Sequence, residues 1–269
     1  MNIFLNKKIL IYGLGISGLS TYKFLKNKND IFLYDDNKLK IKTLGTKENL
    51  ISYKEILKTK FDQIIISPGI DINKCKLSKF LKKNYNKVFS DLDVFFSFYK
   101  NDCITITGTN GKSTTCQLMY EVLLNQKFDT KLVGNIGNPV LSVKNVKRKT
   151  VFVIEASSYQ LEYSRIFKSK YAAILNLSPD HIERHKNLNK YIKAKFKLLK
   201  NQCNKDLACV NKDDLIINIK IDDIKYEVPV YLIEEKIPLD ISGNMIKKSL
   251  LFTRSILLNK FFIPNNLPF

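Results

Sequence analysis

An α/β fold of two domains is predicted by three features of the sequence. The apolar run 8–12 breaks into Gly13-Leu14-Gly15-Ile16-Ser17-Gly18 and restarts as a helical stretch through Leu25. The run 103–107 breaks in the same way into Gly108-Thr109-Asn110-Gly111-Lys112-Ser113-Thr114, followed by a helical stretch over about 112–125. Further strand-length apolar runs stand at 31–34, 61–66, 151–154 and 171–176, the pattern of parallel strands buried on both faces. With 269 residues, 45% of them apolar, the chain is long enough for two cores. The expected division is a Rossmann-like domain over residues 1–92 and a P-loop-type domain over residues 93–269.

In the first domain the glycine turn after the first strand has the GxGxxG spacing, and the second strand ends at Asp35-Asp36, about 20 positions on. Glycines let a pyrophosphate approach the backbone, and the carboxylate can take a ribose hydroxyl. Alone, this pattern suggests a nicotinamide dehydrogenase. The run 61–66, however, ends in Ser67-Pro68-Gly69 and leads to no dehydrogenase chemistry, and a second nucleotide loop follows at Gly108. A different diphosphate, such as a UDP-sugar, is the alternative.

The second loop has the composition of a triphosphate site. A strand that breaks at glycines and restarts as a helix aims backbone N–H groups and the positive end of the helix dipole at one spot. Gly108, Thr109, Asn110, Gly111, Lys112, Ser113 and Thr114 are therefore the ATP-binding candidates. Lys112 would reach the outer phosphates, and the hydroxyl of Ser113 or Thr114 would ligate the accompanying Mg²⁺. Ile106 stands where the common P-loop has its first glycine, so the loop is a shortened variant. Glu155, at the carboxyl end of the run 151–154, is the metal candidate among the acids, because a magnesium ion next to a P-loop needs an oxygen ligand there. The run 171–176 leads to Ser178-Pro179-Asp180-His181. His181 and His185 are spaced as helical neighbours, but the HxExH pattern is neither of the zinc hydrolase motifs. His181, just past a strand end, is placed for a site; His185 reads as solvated. The stretch 191–199 reads as an amphipathic helix whose lysines face solvent.

Composition excludes several classes. No apolar run approaches a membrane span, and the amino terminus runs straight into a strand without a leader. The five cysteines form no CxxC pair and no even set, which speaks against a disulfide framework or a zinc knuckle and for a cytoplasmic setting. The formal charge of +20 would ordinarily raise nucleic acid as a partner. Its lysines are spread along the whole chain, so solvated lysine faces and acidic small-molecule substrates account for it, and neither nucleic acid nor membrane is expected as a partner.

Taken in order, GLGISG with Asp35, SPG at Ser67 to Gly69, GTNGKST, VGNIG at Val133 to Gly137, EASSYQLE at Glu155 to Glu162, NLSPDHIERH from Asn176 and YIKAK ending at Lys195 resemble the Mur ligases, over about the first 210 residues. The resemblance favours the D-glutamate-adding branch of that family. It implies a monomeric enzyme using ATP and Mg²⁺, in which the carboxylate of UDP-N-acetylmuramoyl-L-alanine is phosphorylated and the amine of D-glutamate displaces the phosphate. By carry-over it makes Lys112, His181 and Lys195 catalytic, with Glu155 and His181 on the second Mg²⁺ and Lys195 in the place of the family's carbamylated lysine. It also places Gly15, Ile16, Ser17, Asp35, Asp36, Ser67, Asn135 and Gln160 against the UDP-sugar substrate. Another Mur-type ligase or a catalytically silent nucleotide-sugar binder are the rival readings.

Members of the family carry a third, Rossmann-like domain that binds the amino acid, and it is expected to be absent here because the sequence stops at Phe269. The family's GxHNxxN segment would fall near residues 241–249, where only Gly243 matches. Weak turnover by the chain on its own is the corresponding expectation.

Overall fold

The computed structural model describes residues 2–37, 49–223 and 228–233 of the chain. The 241–249 segment and the tail after it lie outside the described residues. The chain is mixed α/β with two parallel sheets, each in its own compact unit. The first unit comprises residues 1–100, 139–144 and 159–167; the second comprises 101–138, 145–158 and 168–269. The division expected between residues 92 and 93 falls inside a helix of the first unit, one residue pair past its start.

The first unit begins with β1 (Lys8–Tyr12), α1 (Ile16–Leu25) and β2 (Asp30–Tyr34). It continues through α2 (Tyr53–Lys58), β3 (Gln63–Ile66), α3 (Ser78–Lys83), β4 (Val88–Phe89) and α4 (Asp91–Phe98). Its strands run in the order β2-β1-β3-β4, all parallel. Ile9, Leu10, Ile11 and Tyr12 are fully buried, as a strand covered on both faces requires. Because β2 and β3 lie on opposite sides of β1, the strand order reverses there, and the crevice at such a point is where open α/β sheets take ligands. The amino end of α4 carries a capping box between Ser90 and Asp93. Asp93, wholly buried, also accepts the N–H groups of Arg165, Ile166 and Phe167 through Oδ1. That carboxylate, together with Ile72 N donating to Tyr163 OH and Arg165 donating to Tyr85 O, ties the distant segment 159–167 to the first unit.

The second unit contains β5 (Cys103–Thr107), α5 (Lys112–Asn125), β6 (Thr130–Gly134), β7 (Val151–Glu155) and α6 (Ser158–Tyr163), the last shared with the first unit. Beyond these come β8 (Tyr171–Ile174), α7 (Ile182–His185), α8 (Leu188–Lys200), β9 (Leu207–Asn211), α9 (Leu215–Asp223) and β10 (Val230–Ile233). The sheet order is β10-β9-β8-β5-β7-β6, again parallel. Every residue of β5 is buried, and the strand order reverses at β5 between β7 and β8. Met119 and Leu123 of α5 pack against Ile104, Ile106, Val153 and Ala173 of the sheet. In α8 the buried Tyr191, Lys195 and Leu198 follow one another at spacings of four and three, one face of a helix. Asn187 caps this helix by accepting from Lys190 N at 3.0 Å. Among the described residues no helix is long and apolar enough to cross a membrane.

Candidate active site

At the carboxyl end of β5 the chain turns through Gly108 and Gly111, the latter left-handed at φ 77°, and enters α5 at Lys112. The first N–H groups of a helix lack intrahelical acceptors, so this end presents donors to an anion. The loop is fixed from behind by Asn176, just past β8. Thr109 N donates to Asn176 O at 2.9 Å, Asn110 N to Asn176 Oδ1 at 2.8 Å, and Asn176 Nδ2 returns a bond to Asn110 O at 3.0 Å. The amides of Thr109 and Asn110 thus hold the loop's shape. Lys112 Nζ donates to Thr109 O at 2.7 Å, so the side chain folds back over the loop.

Glu155, at the end of β7, is 1% exposed and accepts from Ser113 Oγ at 2.8 Å and from Asn135 Nδ2 at 2.7 Å. Its neighbour Gly134 makes this possible. Gly134 has φ 112°, and a Cβ there would come within 2.2 Å of Glu155 O, so only glycine lets the ends of β6 and β7 close enough for Asn135 to reach the carboxylate. Asn135, expected against the UDP-sugar, therefore stands with Glu155 and Ser113.

Lys195 is 2% exposed and donates to Gly108 O at 2.6 Å. Burial, reinforced by the charge of Lys112, pushes its ammonium down to about 7, with Asp180 and Glu155 pulling the other way. The helical face that reads as solvated thus carries one buried amine. Its Nζ lies 4.7 Å from the centre of the Tyr191 ring, and Tyr191 OH is 2.9 Å from Thr109 Oγ1. Tyr191, fully buried, was not singled out by the sequence, although the four-residue spacing to Lys195 places them on one face.

His181 adopts a left-handed φ of 51°, unusual for a side chain of this size, and its ring Nε2 lies 3.3 Å from Asp180 Oδ2. It is half exposed and 6.5 Å, centre to centre, from the Tyr191 ring. His185, which reads as solvated, is instead only 3% exposed. Its Nε2 meets Ser158 Oγ at 3.0 Å and its ring packs 5.5 Å from Tyr191, so the short α7 turns it inward. The pattern of alternating polar residues around it gave no sign of this.

Could these groups hold Mg²⁺? Among the described residues no group of three His, Cys, Asp or Glu side chains comes together as a metal cage. The donors present are the Ser113 hydroxyl and the Glu155 carboxylate, adjacent and both oxygen. That set suits Mg²⁺, which is held by one or two carboxylates and completes its shell with phosphate oxygens and water. It would suit zinc poorly.

In the first unit the glycine turn is braced differently. Gly13 has φ 95° and accepts from Ser67 Oγ at 2.6 Å, which ties the turn to the Ser67-Pro68-Gly69 loop. Asp35, 6% exposed, accepts Leu14 N at 2.7 Å through one oxygen and Asn37 N at 2.8 Å through the other. The carboxylate expected to take a ribose hydroxyl is occupied with the backbone. Asp36 accepts Tyr12 OH at 2.6 Å and Lys76 N at 3.2 Å through Oδ2, and its Oδ1 has no hydrogen-bond partner among the described residues. Gly15 caps α1, Ile16 stands 79% exposed beside it, and Ser17 follows in the first turn. Gln160, 3% exposed, belongs to this unit and bonds Asp91. Burial raises the Asp91 carboxyl to about 6 against that bond.

Comparison with known proteins gives the family. A model described as the Mur ligase middle domain matches residues 106–257, and one for the N-terminal domain of MurD-like Mur ligases matches residues 7–88. The UDP-N-acetylmuramoylalanine–D-glutamate ligase of Rickettsia bellii is 37% identical over 219 residues, covering 80% of this chain and 48% of that protein. The ligase of the same name from Clostridioides difficile is 35% identical over 235 residues, 82% of this chain and 51% of that one. The chain thus spans about half the length of the curated relatives it matches. In fold it is similar to the crystal structure of the UDP-N-acetylmuramate:L-alanyl-gamma-D-glutamyl-meso-diaminopimelate ligase from Neisseria meningitides. The TM-score is 0.62 at 14% identity, with 96% of this chain and 94% of that one covered. With the middle-domain match alone taking in more than half of its residues, the chain belongs to the Mur ligase family.

Proposed function

We propose that this chain carries the UDP-sugar-binding and ATP-binding parts of a cytoplasmic ligase that joins D-glutamate to UDP-N-acetylmuramoyl-L-alanine in peptidoglycan precursor synthesis. The observation that carries the reading is the meeting of Ser113, Glu155 and Asn135 beside a buried, low-pKa Lys195 at the end of β5. The two relatives named for this reaction support the choice of amino acid.

In this reading the amides opening α5 receive the phosphates, and Lys112 swings from Thr109 O to balance charge growing on the transferred phosphoryl group. Ser113 would hold the Mg²⁺ that accompanies the nucleotide, and Glu155 with His181 a second one; when bound, such ions would offset the negative charge of the phosphate oxygens. The substrate carboxylate attacks the γ-phosphate, giving an acyl phosphate that the amine of D-glutamate opens. Lys195 acts after reaction with CO₂, which replaces its ammonium by a carbamate anion suited to a cation site. An amine whose pKa is held near 7 is about half free base at neutral pH, and the free base is the form that adds to CO₂. The turn from Gly15 to Ser17, Ser67 and Asp36 line the place of the UDP group, with Asp35 supporting the turn and Gln160 nearby.

ADP release is the test. Release that needs UDP-N-acetylmuramoyl-L-alanine and rises with D-glutamate over other amino acids supports this reading. Binding of the UDP-sugar with no ATP turnover under any amino acid contradicts it and leaves a silent nucleotide-sugar binder.

A further inference from the structure

The amino-terminal end of the second sheet's strands carries a second cluster of reactive side chains. Lys168 precedes β8, and Cys203 and Asp206 precede β9, all at the amino ends of the strands and away from the glycine loop. Lys168 Nζ lies 3.2 Å from Cys203 Sγ and 2.8 Å from Asp206 Oδ2. The sulfur is held in place by a tight turn: Cys203 N donates to Asp206 Oδ2 at 2.8 Å and Asp206 N to Cys203 O at 2.9 Å. Gln202, 4% exposed, ties the same turn to the sheet by donating to Ser169 O and Leu207 O. The other charged neighbour is Lys170, 4.0 Å from Asp206 Oδ1 and bonded to Lys205 O.

Among the five cysteines this environment is singular. Cys103, Cys116 and Cys209 are buried, and burial pushes their thiols up, as it does that of half-buried Cys75. Cys203 is half-buried and has an amine against its sulfur. Oxidation of a thiol requires access and thiolate character, and a sulfenic acid so formed condenses with a nitrogen nucleophile in contact with it. The observed separation of nitrogen and sulfur is that of reacting groups already in place.

We propose that Cys203 and Lys168 form an oxidation site at which a hydroperoxide drives a covalent sulfur–nitrogen cross-link. The Cys203 thiolate attacks one peroxide oxygen; the O–O bond breaks, the sulfur is oxidised by two electrons, and the peroxide is reduced to water as its other oxygen takes up the thiol's proton. The product is Cys203 sulfenic acid. Asp206 holds the Lys168 pKa above its ordinary value, so Lys168 Nζ first loses its extra proton to solvent base and then attacks the sulfenic sulfur. The S–N bond forms, the S–O bond breaks, and the hydroxyl leaves as water with a proton from the nitrogen. Overall, thiol, amine and hydrogen peroxide give a sulfenamide and two waters. The bond joins the entry of β8 to the end of α8, the helix that bears Lys195, and does not depend on the ligase reading.

The test is hydrogen peroxide treatment of the full chain followed by digestion and mass spectrometry without reductant. The expected product is a peptide pair joined at Lys168 and Cys203, lighter than its two components by two hydrogens and separated by dithiothreitol. In Lys168→Arg the pair is lost and Cys203 is trapped by dimedone instead. Cys203→Ser, which leaves the turn's backbone bonds in place, provides the same loss of the pair should the arginine variant misfold. Dimedone trapping of Cys203 in the wild type with no joined pair would overturn the proposal. So would joining of Cys203 to Lys170 or Lys205 as often as to Lys168, or oxidation of Cys75 ahead of Cys203.

Discussion

The glycine turn after β1 is braced by a carboxylate, and the one after β5 by an amide. Both follow the strand at which their sheet's order reverses, and both lead into a helix. In the first, Asp35 spends both oxygens on backbone N–H groups and Ser67 locks the turn, so the anchor behind the ligand side is negative. In the second, neutral Asn176 braces the loop's amides, while the cations Lys112 and Lys195 bond the loop carbonyls of Thr109 and Gly108, and Glu155 accepts from Ser113. The difference teaches that a shared strand-turn-helix frame does not set the ligand. In the first turn Asp35 serves only to fix the backbone, whereas the cations and the carboxylate at the second are of the kind that would suit a triphosphate whose charge must be balanced during transfer.

If the division of labour is right, substitutions in one turn should leave the other's ligand alone. Lys112→Ala is expected to have the largest effect, lowering ATP turnover roughly 10²–10³-fold, the scale for removing one group that balances transition-state charge. UDP-N-acetylmuramoyl-L-alanine binding, followed by calorimetry, should be unchanged. Asp35→Asn turns an N–H donor toward Leu14 N or Asn37 N and leaves a buried group unpaired, about 1–3 kcal/mol. Denaturant unfolding should show that loss and calorimetry a weaker UDP-sugar, with ATP affinity preserved. Asn176→Ala removes two bonds from the second loop and should weaken ATP by about tenfold, at roughly 1 kcal/mol net for a typical hydrogen bond. Ile16→Ala, at an exposed side chain, should change stability by less than about 0.5 kcal/mol. Any effect it has should fall on the UDP-sugar's Kd alone. A fall in ATP affinity in Asp35→Asn, or in UDP-sugar affinity in Lys112→Ala, would erase the distinction.

The pH dependence sharpens the second turn further. A folded-state pKa near 7 for Lys195 means that its amine is mostly protonated at pH 6 and mostly free at pH 8. Carbamate formation from ¹³C-bicarbonate, read as a carbamate carbon by NMR, should therefore increase between those values and vanish in Lys195→Arg. An unchanged signal in the arginine variant would place the carbamate elsewhere.

Much of the frame was legible in the sequence because glycines mark its boundaries. β1 and β5 have the bounds of their apolar runs, and α5 spans the stretch read after the second loop. The short β4, the edge strand β10 and the helices α2 and α3 carry too few residues for a period to declare itself. What could not be read is how side chains choose partners far along the chain. Nothing local shows that Asp93 gathers N–H groups more than 70 residues away, or that Asp35 serves its own turn before any ribose. The burial of His185 comes from the packing of α7 on Tyr191 of α8, and that of Lys195 from its reach to Gly108 O, 87 residues back along the chain.

The central claim is that the α5 end, Ser113 and Glu155 form the Mg²⁺–ATP site. A crystal structure grown with a non-hydrolysable ATP analogue and Mn²⁺ in place of Mg²⁺ tests it most directly, since Mn²⁺ is located by its anomalous scattering. The account predicts an anomalous peak bonded to Ser113 Oγ or Glu155, with phosphate oxygens completing the shell and Lys112 turned away from Thr109 O onto the phosphates. Nucleotide bound at the Gly13 turn, or a metal that touches neither Ser113 nor Glu155, would contradict it.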